Sequence, residues 1–333
     1  MKHRGLLAFT LALLAGCAHP TFLVTEGEEP VLAWSALSNQ AIRQTPRIQP
    51  IQQAARANAL VHLSMGEALA RAREEGLGEA FERSATSHAA ARAMRRLYPE
   101  RAAEWERRAA VSGETGKALG EASADAVFAR AGKTWFLERP DQFRPDPTGI
   151  DWKEQFRALQ LLQREVTPER LAQARKWAHD PVPAAWGEVA LGLLRTHRRD
   201  ALSSVRLLGL LHATIDDATT AYLDAQNAYR IPRPSEWART RGFSFSSALS
   251  TPRQPSFPSG HAALSQAAAI VLSDAFPSEA GRLQALADEA TRSRLDAGVH
   301  FPIDSSEGQA LGERVARFAL RQEKGALTRP GED

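Results

Sequence analysis

Three short blocks in the last third of the chain hold residues able to do chemistry together. They are Arg233-Pro234, Pro258-Ser259-Gly260-His261, and Ser293-Arg294 followed by His300 and Asp304. They supply two guanidinium groups, two imidazoles, a hydroxyl beside a glycine and a carboxylate. Arginine suits phosphate-like oxygens because its planar fork donates parallel hydrogen bonds and stays charged. Imidazole exchanges protons near neutral pH. A carboxylate on one of its nitrogens fixes the tautomer and makes the other nitrogen more basic and nucleophilic. The set is suited to gripping a tetrahedral oxyanion and attacking or activating its central atom.

Each block needs an element to position it. Pro258-Ser259-Gly260-His261 runs directly into an apolar helical stretch, 262–275. Ser259 therefore falls at the N-cap, with the free N–H groups and positive dipole end of the first turn beside it, an arrangement favourable to anions. Gly260 lets the backbone approach a ligand closely. His261 lies in the first turn, within reach of the same anion. If Phe301-Pro302 opens the last helix, His300 and Asp304 meet across its first turn. Apolar neighbours on both sides, Ala297-Gly298-Val299 and Phe301-Pro302-Ile303, predict a buried pair. Arg233-Pro234 follows a long helix over 201–229.

The rest of the chain reads as helix. From Ile51 onward Ala, Leu, Arg and Glu dominate, and apolar residues recur at spacings of three and four. The pattern predicts helices at 51–75, 78–97, 100–111, 114–131, 151–164, 168–179, 184–195, 201–229, 261–275, 278–295 and 303–323. Thr167-Pro168 marks one start as an N-cap followed by proline at the first helical position. No period-2 run of β-branched residues stands out, so the fold class expected is all-α. Two proline-bearing loops, 133–150 and 230–258, interrupt the helices, and long loops in compact proteins tend to carry function.

Composition bounds the alternatives. The 333 residues are 43% hydrophobic and 24% charged, with a net charge of +3. That is enough apolar material for a sizeable core and too mixed a charge for a disordered chain. No basic run with interleaved aromatics occurs, so nucleic acid is not an expected partner. Neither an HExxH sequence, a glycine-rich phosphate loop nor a Cys/His metal cluster is present, and no metal is expected. At the N-terminus a basic start (Lys2, His3, Arg4) precedes a short apolar run, 6–14, which reads as an export signal. Leu14-Ala15-Gly16-Cys17 resembles the lipobox of bacterial lipoproteins, and Cys17 is the sole cysteine. The expected organisation is a signal peptide, 1–16; a lipid-anchored tether, 17–50, with a short helix near 33–43; and a helical domain, 51–325, with its catalytic core at 200–323. Lipidation at Cys17 would attach the protein to the cell envelope. Ala18 after the cysteine points to the outer membrane, facing the periplasm.

The order and spacing of the three blocks resemble the signature of the type 2 phosphatidic acid phosphatase and vanadium haloperoxidase superfamily. That signature is Lys, six residues, Arg-Pro; then Pro-Ser-Gly-His; then Ser-Arg, five residues, His, three residues, Asp. The chain matches the last two blocks at every fixed position and the Arg-Pro of the first; Gln226 stands where the pattern has Lys. Weaker likeness to soluble bacterial haloperoxidase-like members extends over 54–70, 116–129 and Ile215-Asp216-Asp217-Ala218. The resemblance implies a single multi-helix bundle of the acid phosphatase/vanadium haloperoxidase type. It implies His300 as nucleophile, forming a phosphohistidine in a phosphatase or binding vanadate in a peroxidase. It further implies His261 as general acid, Asp304 orienting His300, and Arg233, Arg294, Ser259 and Gly260 holding the oxyanion, with Gln226 in the lysine's place able to donate one neutral bond to it. The implied activity is hydrolysis of a small phosphorylated substrate without a cofactor, with vanadate-dependent haloperoxidation or a catalytically weak oxyanion-binding protein as alternatives. Replacing Lys by Gln226 costs about 1.5–3 kcal/mol for a charge-assisted bond. A helix continuing past 229 would let Arg230, four residues on, restore the charge. Arg239, Arg241 and Arg253 are candidates for the mouth of the site. His212 and Asp216, at i and i+4, are expected to be a packed polar pair, and His62, His88 and His197 to be structural.

Overall fold

The computed structural model describes residues 29–45 and 51–328. The expected signal segment and Cys17 lie outside the described residues. Those residues form helices joined by turns and loops, with no strand among them. In chain order the α-helices are α1 (Pro30–Gln44), α2 (Ile51–Glu74), α3 (Glu79–Leu97), α4 (Ala102–Ala110), α5 (Lys117–Arg130), α6 (Trp152–Arg164) and α7 (Pro168–His179). They continue as α8 (Val182–His197), α9 (Ala201–Tyr229), α10 (Pro234–Arg239), α11 (Gly260–Ala275), α12 (Ala280–Asp296) and α13 (Pro302–Thr328). Among the described residues no helix is long and apolar enough to cross a membrane.

Helix α9 is the spine. It packs against α2 on the N-terminal side and against α11 and α13 on the C-terminal side. Helices α3 and α5 pack with α2 and with each other, and α12 packs with α11 and α13, so each group reaches α9 through its inner helices. One hydrophobic core runs through both groups, from Val31 and Trp34 through Met65, Trp105, Leu211 and Ile215 to Leu272 and Val315. Much of this core is alanine, which permits close helix approach. Gly308 and Gly312 on α13 show how close: a Cβ at either position would collide with the backbone of α11, at Ser259 and Ala263. This brings the start of α11 against the start of α13, the two helix ends that carry the histidines.

The ends follow local chemistry. Thr167 caps α7 by accepting from Arg170 N, with Pro168 in the first turn. Asp200 caps α9 by accepting from Leu202 N and Ser203 N. Asp304 sits three residues past Phe301, and its Oδ2 reaches back to accept from Phe301 N at 2.8 Å. That is the returning half of a capping box, so one carboxylate both starts α13 and faces His300.

Two expectations are corrected. Residues 30–44 are not tether: α1 buries Val31, Trp34 and Leu37 in the main core and packs on α8. Ser35, Ser38, Asn39 and Gln40 interrupt its apolar residues, and the face these form is used only in tertiary packing. The loop 230–258 contains α10, six residues with Pro234 at the start, too short for a periodic signal.

Candidate active site

The three blocks converge. A cavity of about 160 Å3 is lined by Gln226, Arg233, Gly260, His261, Arg294 and His300, together with Tyr222 and several apolar residues. Room for roughly five waters by liquid volume is also room for a tetrahedral anion. Backbone bonds tie the blocks together: Ser259 N donates to Asp304 O at 2.8 Å, and Ser256 N donates to Ile231 O at 2.8 Å. Trp237 of α10 packs tilted against Phe156 (5.1 Å) and edge-on to Phe301 (6.1 Å), holding the Arg233 loop beside His300.

His300 and Asp304 are buried, at 3% and 0% exposure. His300 Nδ1 lies 3.1 Å from Asp304 Oδ2. The same oxygen accepts from the Ser256 hydroxyl and from Phe301 N. His300 Nε2 lies 2.8 Å from Arg233 Nη1, which can only donate. Nε2 is therefore the acceptor, and the ring proton belongs on Nδ1, toward Asp304. A neutral imidazole with its lone pair on the cavity side is the form a nucleophile requires. Burial holds His300 well below the usual imidazole range, with Arg233 and Arg294 adding to the effect. Burial pushes the Asp304 carboxyl up to about 7, against its hydrogen bonds and Arg233.

The two arginines are held by backbone carbonyls. Arg233 donates to Gln254 O (2.9 Å) and Val299 O (3.0 Å), and Arg294 donates to Ala174 O (2.7 Å). Neither forms an ion pair among the described residues. Burial lowers both guanidinium groups to about 10, so they remain charged at neutral pH. Two buried cations without a carboxylate partner leave the cavity positively charged.

His261 stands where this cavity meets a wider cleft of about 700 Å3, lined also by Ile42, Arg175, Trp177, Leu249 and Val182. Its Nε2 is 3.0 Å from the Trp177 carbonyl, so the proton of the neutral ring sits there and Nδ1 is left for exchange. Burial, followed by Arg294, pushes its pKa well below the ordinary 6.5. A bound dianion would reverse that sign by favouring the imidazolium.

Ser259 is the N-cap residue of α11, yet its hydroxyl makes no capping bond and is buried without a partner. Ser259 is not itself among the residues lining the cavity, but it directly precedes Gly260 and His261, which are, and an orphaned hydroxyl at that helix N-terminus has the chemistry to meet a phosphoryl or vanadate oxygen. Gly260 has a different reason from the one expected: a Cβ there would sit 2.7 Å from the Tyr222 ring. The missing side chain makes room for a tyrosine of the same cavity. Gln226 is at the site, 2% exposed. Arg230 is not a substitute for the absent lysine. Helix α9 ends at Tyr229, Arg230 takes a left-handed backbone conformation, and its Nε donates to Asn227 O in solvent.

None of Arg239, Arg241 and Arg253 lines this cavity; Arg241 covers the Trp237 ring instead. His212 does not pair with Asp216. It stacks on His62 at 4.4 Å, while Asp216 holds Arg56 (2.6 Å) and the Trp135 indole (2.7 Å). His88 bonds Gly113 O, and His197 packs on Phe276, both away from the cavity. Three contributors lacked a recognisable sequence signal: Ser256, and the backbone carbonyls of Ala174 and Trp177. Tyr222 had one, since it precedes Gln226 by one helical turn on the same face. No group of three or more His, Cys, Asp or Glu able to hold a metal occurs among the described residues.

Residues 207–326 match the profile of the PAP2 superfamily. A bacterial vanadium-dependent iodoperoxidase superposes with a TM-score of 0.71 at 18% identity, covering 88% of this chain and 96% of that one. A bacterial vanadium-dependent chloroperoxidase superposes with a TM-score of 0.69 in its apo form, at 14% identity, covering 83% of this chain and 95% of that one. Its holo form also gives 0.69, at 13% identity and coverage of 86% and 96%. At these identities the likeness is one of fold. No protein of curated function matches the sequence.

Proposed function

We propose that the chain, whose residues 207–326 match the profile of the PAP2 superfamily, is a metal-independent phosphoester hydrolase with His300 as nucleophile. The observation that carries this is the cavity itself: two buried arginines without carboxylate partners face the lone pair of a carboxylate-held imidazole. In the proposed reaction His300 Nε2 attacks phosphorus, the bond to the ester oxygen breaks, and His261 protonates that oxygen. Water then takes the phosphoryl group from the phosphohistidine. Asp304 keeps the Nδ1 proton and stabilises positive charge on the ring. Arg233, Arg294, Ser259 and the first-turn N–H groups of α11 hold the three remaining oxygens, supplying preorganised charge that need not reorient during the reaction. The leaving group faces the 700 Å3 cleft on the His261 side.

A second reading rests on the names of the structural neighbours, which are vanadium-dependent iodoperoxidase and chloroperoxidase. The same donors would hold vanadate, which would supply peroxide-activating chemistry when bound. One panel separates the readings: hydrolysis of an aromatic phosphomonoester, and halogenation with vanadate plus peroxide, each with wild type and His300→Ala. Hydrolysis lost by about 10³-fold or more in His300→Ala supports the first. Halogenation alone, dependent on vanadate loading, supports the second. Silence in both assays rejects both enzymes and leaves an oxyanion-binding protein. The anchor at Cys17 is part of the proposal. Cys17→Ala should move the full chain from the membrane fraction to the soluble one, and an unchanged distribution removes the anchor.

A further inference from the structure

Gln226 is fixed in one orientation by its neighbour. Its Nε2 lies 2.9 Å from the Pro258 carbonyl oxygen. A carbonyl can only accept, so the amide nitrogen must face it, and the amide oxygen must face the other way. That oxygen, Oε1, is buried and has no hydrogen-bond partner. Gln226 lines the 160 Å3 cavity with Arg233, Arg294, His261 and His300. An unpaired acceptor therefore belongs to a residue that lines the cavity with the two arginine donors.

We infer that Gln226 makes the site selective for a protonated oxyanion, one that carries at least one O–H group. A bare anionic oxygen placed against Oε1 would set two acceptors face to face and leave both unsatisfied. An O–H oxygen satisfies both, by donating to Oε1 while the other oxygens accept from the arginines. The charge inventory agrees. Arg233 and Arg294 bring two positive charges and Asp304 is a nearby acid, so a site without the lysine is matched to an anion of reduced charge. This inference rests on the oxyanion reading of the cavity and assigns its substrate in the monoprotonated form. Hydrogen phosphate and monoprotonated esters qualify, whereas sulfate does not.

The test compares anions of equal charge. At about pH 8, hydrogen phosphate, sulfate and fluorophosphate are all dianions of similar size, and only the first carries an O–H. Calorimetric titration of the wild-type protein should show phosphate binding at least about tenfold tighter than sulfate or fluorophosphate, the scale of one buried acceptor left unpaired. Gln226→Leu should bring that ratio close to one. Gln226→Lys should tighten sulfate more than phosphate. The ratio is the readout, so a general loss of affinity in a variant cancels. Equal affinity for phosphate and fluorophosphate in the wild type would overturn the inference even if neither variant folded. A preference that persists in Gln226→Leu would overturn it too. No binding of any of the three anions is a different failure, which removes the oxyanion reading and this inference with it.

Discussion

The arginines of the N-terminal helices and those of the cavity face opposite situations. Arg43 makes a two-pronged bond to Asp180 at 2.8 and 3.1 Å, and Arg92 does the same to Asp125 at 3.0 Å from each nitrogen. Arg95 spans Glu106 and Glu121. Arg233 and Arg294 are more deeply buried than any of these, yet backbone carbonyls and the Ser293 hydroxyl hold them, with His300 beside Arg233. Taking an ion out of water costs several kcal/mol when no opposite charge compensates it. A fold keeps such a group where a ligand supplies the missing charge. The contrast separates arginines that fasten helices from the two that we propose bind an anion.

The sharpest way to break the contrast is to remove one arginine of each kind. Arg294→Met should lower phosphate affinity or ester turnover by about 10²–10³-fold, with little change in the unfolding midpoint, because the lost carbonyl bond is offset by relief of charge burial. Arg92→Met should leave turnover unchanged and cost less than about 1 kcal/mol, since its bridge is largely exposed. Matched losses of turnover in the two variants would show that the cavity arginine is no different in kind.

A carboxylate offers the mirror image. Asp217 is buried inside α9 and accepts from three successive backbone N–H groups, those of Trp135 (2.7 Å), Phe136 (2.7 Å) and Leu137 (3.2 Å). It receives donors in place of a cation, and burial still pushes it up to about 6. Asp217→Ala should destabilise the protein by about 2–3 kcal/mol, by stripping three loop N–H groups of their acceptor, with the loop at 133–137 becoming protease-sensitive first. An unshifted chemical-denaturation midpoint would contradict this role. The Asp216-Asp217 pair is thus a structural clamp on the first proline-bearing loop, although its sequence has the look of chemistry.

What the sequence revealed follows from the range of the interactions involved. Helices such as α2, α7 and α9 were legible to within a residue because periodicity and caps are local. The all-α fold was legible for the same reason. So was the His300–Asp304 contact, since four residues at a helix start fix the distance. Helix α1 was expected as a short helix within a tether, and its place in the core was missed because that burial depends on α2 and α8. Ser256 reaches Asp304 from 48 residues away, with no spacing to announce it. The grips on Arg294 and His261 come from carbonyls of α7, and every residue type has a carbonyl. Gln226 shows a further limit: its identity signalled a missing charge, but only the Pro258 carbonyl tells which end of the amide faces the cavity.

The two pairs of buried histidines extend the comparison to a smaller effect. His261 and His300 line a cavity with two arginines, where in the proposed reaction the anion would compensate any charge they acquire. His62 and His212 stack at 4.4 Å in the core, and both His212 nitrogens lack a partner. Burial, with His62 adding to it, holds His212 well below its ordinary 6.5. His62 is lowered to about 4 by burial. In the unfolded chain both would protonate as pH falls through 6.5, while in the folded chain they stay neutral. The unfolded state then binds more protons, and the contribution of each group to stability falls as pH falls below 6.5. Asp216, Asp217 and Asp304 are raised and act in the opposite direction over part of that window, so the whole-protein profile mixes both signs. His212→Phe isolates one group. It keeps a ring against His62 and removes two unsatisfied nitrogens. Relative to wild type, the variant should gain about 1.4 kcal/mol for each pH unit below 6.5, until the folded histidine itself protonates. Denaturant titrations at several pH values would measure that difference. A wild-type-to-variant gap that stays constant from neutral to acid pH would mean His212 takes up its proton in the fold as it does in the unfolded chain, and burial would then not hold it neutral.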